Sequence, residues 1–227
     1  NPVLIVRYGT RSVFHSPGSR SLAHDYRPPS RANAFEGAEG TWDVIHFNFG
    51  IWDTYRTEGG KRRRPWDKVN GDLWVPLDRY EKNLREIVAK LKQTGATLIW
   101  GTITAVHEDC PSTRKEDVKR YNEVAAGIMK VNGVIINDLH AECLRQGFPK
   151  GTNVHSVPKT MGPVTLAVIK DALKKRKTLC KPFPRVLTIG DSISGNYAHY
   201  VAQGLLGEAT VYHNPGNAGS SDMGVEH

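Results

Sequence analysis

Short apolar segments rich in β-branched residues alternate with longer amphipathic segments along most of this chain. Such alternation is typical of parallel strands that are covered by helices on both faces of the sheet. It predicts an α/β fold, specifically a three-layer α/β/α sandwich with a central, mainly parallel sheet of five or six strands. The predicted strands are 2–7, 42–49, 97–104, 133–137, 185–190 and 208–213.

Four helices are predicted between these strands. The clearest follows Pro76, a residue favoured in the first helical turn, and is stopped by Gly95. The others cover about 114–131, about 163–175 after Pro163, and about 195–206. Their apolar residues recur at helical spacing, which indicates ordinary core packing.

The composition fits one globular domain of 227 residues, with 39% hydrophobic and 24% charged residues. No apolar run approaches the roughly 18 residues of a membrane-spanning helix, so no membrane partner is expected. The three cysteines match neither a disulfide framework nor a zinc motif. No signal peptide is visible, and a secreted or periplasmic location is favoured only as that of a processed form.

The formal net charge of +8 would attract polyanions. Much of the surplus lies in two runs, 60–65 and 174–181, which are typical of solvated loops and helix ends. No RNA-binding aromatic signature or zinc finger accompanies them. We therefore expect no nucleic-acid partner, and polyanion binding is the weakest of the functional hypotheses.

Two residues near predicted strand and helix ends could carry chemistry. Ser192 follows the strand 185–190 and would begin the next helix, where unpaired backbone N–H groups favour a nucleophile. The alternative is that Asp191 or Ser192 only caps that helix. His155 lies on a predicted loop before a helix and could act as a general base, or it is an ordinary surface histidine.

Four segments together resemble the SGNH (GDSL) hydrolase superfamily. "IGDSIS" resembles its first block, "NPGNAGSSDMG" its second, "VIHFNFGIWD" its third and "NVHSVPKTMG" its histidine block. "RYNEVAAGIMKVNGVIINDLH" is also similar to the helix and strand that precede the histidine block in bacterial members. The resemblance covers most of 41–227 and implies a flavodoxin-like sandwich and a serine esterase without metal or cofactor.

The resemblance also implies roles for individual residues. Ser192 would be the nucleophile and His155 its general base. The oxyanion would be bound by the N–H groups of Ser192 and Gly219 and by an asparagine side chain, each donor contributing on the order of 3 kcal/mol. Trp52 and Asn217 would contact the substrate.

The third block departs from the family pattern because Trp52 occupies the usual asparagine position in Gly50-Ile51-Trp52-Asp53. Asn48 lies two residues before Gly50, on the strand face that also holds His46, and we expect it to replace the missing donor. The alternative is that Asn48 only satisfies a neighbouring backbone group.

The histidine block also departs from the pattern, because Thr152 stands where an aspartate usually orients the histidine. An acid in that position can matter by orders of magnitude in related triads. A backbone carbonyl, Asn153, Asp138 or Asp191 could support His155 instead, and Asp138 is the weaker alternative to the carbonyl.

The blocks also occur in an unusual order, because His155 precedes Ser192 by 37 residues, 192 minus 155. Moving 181–227 to the front restores the family's order without breaking a predicted element. We therefore expect one circularly permuted domain over 1–227. Residues 181–227 carry the serine and glycine blocks, and residues 41–175 carry the asparagine and histidine blocks. Natural and engineered permutation both remain open.

Within the first 40 residues, "VLIVRYGTRSV" followed by "GSRSLAHDYRPPS" resembles the glycine-bearing segment of sialate O-acetylesterase-like and acetylxylan esterase-like members. This makes Gly18 a rival to Gly219 and points to acetylated sugars. We therefore expect a serine esterase that hydrolyses acetyl or other short acyl esters on a small molecule or carbohydrate. The alternative is a glycan-binding module that uses Trp52, Trp66 and Trp74. Acyl chain length and oligomeric state stay open.

Overall fold

The computed structural model describes residues 5–8, 11–14, 41–58, 61–62, 71–147, 158–176 and 183–226. In chain order the strands are β1 Ile5–Tyr8, β2 Arg11–Phe14, β3 Val44–Phe47, β4 Thr57–Glu58, β5 Lys61–Arg62, β6 Thr97–Gly101, β7 Ile135–Asn137, β8 Arg185–Ile189 and β9 Thr210–His213. The helices are α1 Leu77–Lys92, α2 Lys115–Asn132, α3 Leu139–Gln146, α4 Pro158–Lys175, α5 Ser192–Gly204 and α6 Ser221–Glu226.

One sheet of seven strands has the order β2-β1-β9-β8-β3-β6-β7. The five strands from β9 to β7 are all parallel to their neighbours, and β1 extends this set in parallel beside β9. At the edge, β2 pairs antiparallel with β1, whereas β4 and β5 form a separate ribbon. The prediction of an α/β fold with a mainly parallel sheet is confirmed, and β2 is a strand that was not predicted.

The helices form two groups that suit a three-layer sandwich. The connection from β8 through α5 to β9 runs toward one edge of the sheet, and the connection from β3 through α1 to β6 runs toward the other. Because parallel crossovers are right-handed, these opposite directions place α5 and α1 on opposite faces. Helices α3 and α4 join α5, and helices α2 and α6 pack against α1.

The core lies where the apolar periodicity predicted it. All four residues of β3 are buried, as expected for an interior strand of a sheet covered on both faces. Helix α1 buries a continuous stripe that includes Tyr80, Leu84, Ile87 and Leu91. Helix α2 ends at Asn132 and is capped by Gly133, whose φ of 68° is the left-handed conformation that favours glycine after a helix.

The structure corrects three helix assignments. Helix α4 begins at Pro158 and contains Pro163, which we expected to mark its first turn. The Pro163 ring is exposed, so it lies on the solvent side of the helix. Helices α3 and α6 were not predicted, because each is short and buries only two residues.

Candidate functional site

The carboxyl ends of β8 and β3 define the place where a ligand would bind in this fold. These two strands are neighbours, but the chain leaves them toward opposite edges of the sheet. In open parallel sheets, such a reversal opens a crevice between the two departing segments. The segment after β8 carries Asp191 and Ser192, and the segment after β3 carries Asn48.

Helix α5 begins directly at the predicted nucleophile. Asp191 is its N-cap, and the Asp191 carboxylate accepts a hydrogen bond from Ile193 N at 2.8 Å. Ser192 is the first helical residue and is half-buried. Because Asp191 provides the cap, capping does not account for the serine at position 192.

The Asp191 carboxyl has an altered acidity. Burial raises its pKa to about 6, although backbone N–H groups that donate to it act in the opposite direction. A group next to Ser192 therefore changes its charge in the mildly acidic range.

The segment after β9 is hydrogen-bonded to the turn Gly190-Asp191-Ser192, which we call the serine turn. Gly190 N donates to Asn214 Oδ1 at 2.8 Å, and Ala218 N donates to Gly190 O at 3.0 Å. Asn214 N also donates to Thr188 O at 3.1 Å. These bonds fix the glycine-bearing segment beside the start of α5.

Gly219 lies in this segment with a φ of +64°, a backbone conformation that residues other than glycine rarely adopt. Its N–H donates to Asn217 Oδ1 at 2.8 Å. A Cβ atom at Gly219 would lie 2.4 Å from Met223 Sδ and 3.5 Å from Trp52 Cε3. The structure thus brings Gly219, Asn217 and Trp52 together. The Gly219 N–H, which was predicted to bind an oxyanion, donates here to the Asn217 side chain.

Asn48 contacts the serine turn directly. Its backbone N donates to Ile189 O at 3.0 Å, and a Cβ atom added to Gly190 would lie 1.9 Å from Asn48 Oδ1. Only glycine therefore fits at position 190. The Asn48 carboxamide lies against the residue that precedes Asp191 and Ser192, with Oδ1 as the contacting atom.

Asp53, at the aspartate position of the third block, is hydrogen-bonded to the first residue of α6. It is fully buried and accepts hydrogen bonds from Ser221 N at 2.9 Å and Ser221 Oγ at 2.5 Å. Asn83 Nδ2 donates to the same Ser221 Oγ at 3.0 Å. Burial raises the pKa of Asp53 to about 7. These contacts attach the loop after β3 to α6 and keep Asp53 in the core.

A second serine and histidine pair was missed by the sequence analysis. Ser194 Oγ and His213 Nε2 are 2.8 Å apart, and His213 Nδ1 lies 2.8 Å from Asn214 O. Burial lowers the pKa of His213 to about 4, so its imidazole is neutral at neutral pH. No local motif marks this pair, because the two residues come from different elements.

The remaining predicted site residues do not join this group. Asp138 is the N-cap of α3, where its Oδ1 accepts from Ala141 N at 3.0 Å and from Thr102 Oγ1 at 3.3 Å. It follows β7, three strand positions from β8, which is on the order of 14 Å. His155, Asn153, Gly18 and Trp66 lie outside the described residues.

Within the described ranges, no group of three His, Cys, Asp or Glu side chains is arranged to hold a metal ion. None of the described helices combines the length and the apolar character needed to cross a membrane. No protein-family model and no curated protein matches this chain.

Proposed function

We propose that this protein is a serine esterase of the SGNH (GDSL) type that hydrolyses acetyl or other short acyl esters of a carbohydrate. Ser192 is its nucleophile and His155 its general base. The observation that carries the proposal is the position of Ser192. It begins α5 at the reversal point of the sheet, and the turn before it is held by Asn48 and by the segment after β9.

The proposed reaction has two steps. His155 takes the proton of the Ser192 hydroxyl while the oxygen attacks the ester carbonyl, and the same proton then goes to the departing alcohol. His155 next activates a water molecule, which attacks the acyl-enzyme, releases the acid and restores Ser192. Both steps pass through a tetrahedral oxyanion that requires hydrogen-bond donors.

Three donors are proposed for this oxyanion. They are the N–H of Ser192, the Nδ2 group of Asn48 and the N–H of Gly219. In the structure the Gly219 N–H donates to Asn217, an exposed side chain. Asn217 must release this N–H when the oxyanion forms, which makes Asn217 part of the proposed substrate site together with Trp52.

The strand order supports a permuted SGNH fold. If the strands are counted from β8, in the order β8, β9, β3, β6 and β7, their arrangement across the sheet is 2-1-3-4-5. This is the flavodoxin-like order, in which ligands bind between the first and third strands. Counted in this way, the first and third strands are β8 and β3, which lead to Ser192 and Asn48.

The orientation of His155 is proposed to depend on a backbone carbonyl. Thr152 stands at the usual acid position, and Asp138 is engaged as a helix cap. Asp191 is likewise engaged by N–H groups of α5. A dyad of Ser192 and His155 therefore fits the described contacts better than a triad that includes either acid.

The alternative function, glycan binding without catalysis, is favoured by one observation. The Trp74 side chain is 38% exposed, and Trp52 is half-buried beside Gly219. Exposed aromatic rings of this kind can stack on sugar faces. The alternative predicts retention of a glycan without turnover of its esters.

The test compares Ser192→Ala with Gln203→Ala, an exposed residue near the other end of the same helix. Hydrolysis of 4-nitrophenyl acetate should be lost in the first variant and retained in the second, with both variants folded by circular dichroism. An organophosphonate should add to Ser192 in the wild-type protein. Turnover by Ser192→Ala would reject the esterase. Glycan retention without an adduct would favour the alternative.

A further inference from the structure

A chain of hydrogen-bonding side chains passes through the core behind Asn48. Asn137 Nδ2 lies 3.1 Å from Thr165 Oγ1 and 3.0 Å from His46 Nε2. Tyr197 Oη lies 3.3 Å from His46 Nδ1 and 3.4 Å from Asn48 Oδ1. This series of hydrogen bonds therefore connects β7 and α4 with Asn48, the residue that faces the serine turn.

The donors and acceptors in this chain have a consistent direction. An amide nitrogen can only donate, so Asn137 Nδ2 donates to both of its neighbours and His46 Nε2 accepts. Because burial lowers the pKa of His46 to about 3, its imidazole is neutral and carries its one proton on Nδ1. His46 thus donates to the Tyr197 oxygen, and the Tyr197 hydroxyl donates to Asn48 Oδ1.

A second contact agrees with this direction. The position of a Cβ atom on Gly190 would be 1.9 Å from Asn48 Oδ1, so this oxygen faces a Cα hydrogen of Gly190. An oxygen is favoured there by a weak C–H···O contact, whereas an NH2 group would bring hydrogens against hydrogen. The Asn48 oxygen is engaged on the inner side, and among the described residues Asn48 Nδ2 has no acceptor.

We propose that the relay Asn137, His46 and Tyr197 positions the Asn48 carboxamide with Oδ1 inward and Nδ2 presented to the substrate. This inference rests on the esterase function proposed above. His46 and Tyr197 are then positioning residues, and Asn48 is the group that touches the reacting atoms. A preorganised donor of this kind avoids reorientation when charge develops on the substrate oxygen.

The kinetic test uses Tyr197→Phe, which removes the hydroxyl and keeps the ring that packs edge-on against His46. Its matched control is Tyr121→Phe, another buried tyrosine whose hydroxyl donates to Val75 O. Both variants should lose a similar amount of thermal stability. Only Tyr197→Phe should lower kcat for 4-nitrophenyl acetate, by about tenfold with little change in KM. Equal kcat in both variants would overturn the proposal.

A test that does not depend on activity is the tautomer of His46. We expect side-chain ¹⁵N NMR to show the proton on Nδ1, and the Asn48 Nδ2 signals to shift in Tyr197→Phe but not in Tyr121→Phe. A proton on His46 Nε2 would reverse the relay, turn the Asn48 oxygen toward the substrate and overturn the proposal.

The two proposals can fail separately. If the wild-type protein does not hydrolyse the ester and Ser192 is not labelled, the esterase function fails and with it the catalytic use of Asn48. The tautomer and the Asn48 signals would still decide whether the relay holds the carboxamide in the inferred orientation.

Discussion

His213 Nε2 lies 2.8 Å from Ser194 Oγ, between β9 and the first turn of α5. This distance is the one expected between a nucleophile and its general base. However, Ser194 is fully buried and His213 is 5% exposed, and Ser194 Oγ also lies 2.7 Å from Asp191 O. The pair therefore fastens α5 to the sheet and does not offer a hydroxyl to a substrate.

The replacement Ser194→Ala should reduce the free energy of unfolding by about 1–2 kcal/mol, because it removes a buried hydroxyl that bonds within the core. The organophosphonate adduct should remain on Ser192. Urea unfolding measures the first effect, and tandem mass spectrometry of the labelled peptide measures the second. An adduct on Ser194 would show that Ser194, and not Ser192, is the nucleophile.

The replacement Gly190→Ala should impair both folding and turnover. Its methyl group would meet Asn48 Oδ1 at 1.9 Å and Ser194 Oγ at 2.8 Å, which costs about 1–3 kcal/mol and displaces the Asn48 carboxamide. We expect at least a tenfold fall in kcat. Thermal unfolding and ester hydrolysis provide the measurements.

Gly195→Ala is the control for this substitution. A Cβ atom there comes no closer than 3.9 Å to the His213 ring, and alanine raises helix propensity by up to about 1 kcal/mol. We expect unchanged turnover and equal or higher stability. Similar losses in both glycine variants would show that the contact with Asn48 is unimportant.

Six strands, β1, β3 and β6 to β9, and the helices α1 and α2 could be predicted because their signals are local. Apolar residues of α1 repeat at helical spacing, and β3 is apolar at every position except His46. Helix α6 has no such pattern, because its buried residues are Ser221 and Gly224. Its position depends on Asp53, which is 168 residues away in the chain.

The residues of the candidate site also divide into those that local sequence signals predict and those that only the fold reveals. Ser192, Asn48 and Gly219 follow strand ends, so their meeting at one edge of the sheet could be predicted. Tyr197 belongs to no motif, and it reaches Asn48 across 149 residues of chain. A signal was present in His46, a polar residue two positions from Asn48 in an otherwise apolar strand, but its partner could not be identified without the fold.

The buried Asp53 should make stability decrease as the pH rises. Its pKa in the folded protein, about 7, is above the value of 3.8 expected in the unfolded chain. Between these values the folded state binds the extra proton, so the free energy of unfolding falls from pH 4 to pH 7 by on the order of 4 kcal/mol.

The difference between the wild-type protein and Asp53→Asn isolates this effect, because Asp191, His46 and His213 titrate in both proteins. Relative to the wild type, Asp53→Asn should become steadily more stable as the pH rises from 4 to 7. Urea unfolding at several pH values measures this difference. A difference independent of pH would mean that Asp53 is already ionised in the folded protein at pH 4.

Esterase activity should fall when the pH drops below about 6.5, because protonated His155 cannot accept the serine proton. Protonation of Asp191, whose pKa is about 6, removes the negative cap of α5 and should steepen the decline. In Asp191→Asn only the fall in activity that is caused by protonation of His155 should remain. A flat profile of kcat/KM from pH 8 to pH 5 would contradict a histidine base.

The adjacency of β3 and β8 has a consequence during synthesis of the chain. More than a hundred residues separate them, so the ribosome makes β3, β6 and β7 well before β8 exists. Until then β3 is an edge strand with apolar side chains and unpaired peptide groups, a template for pairing with other chains. The edge of β3 is therefore open to pairing with other chains until β8 has been made.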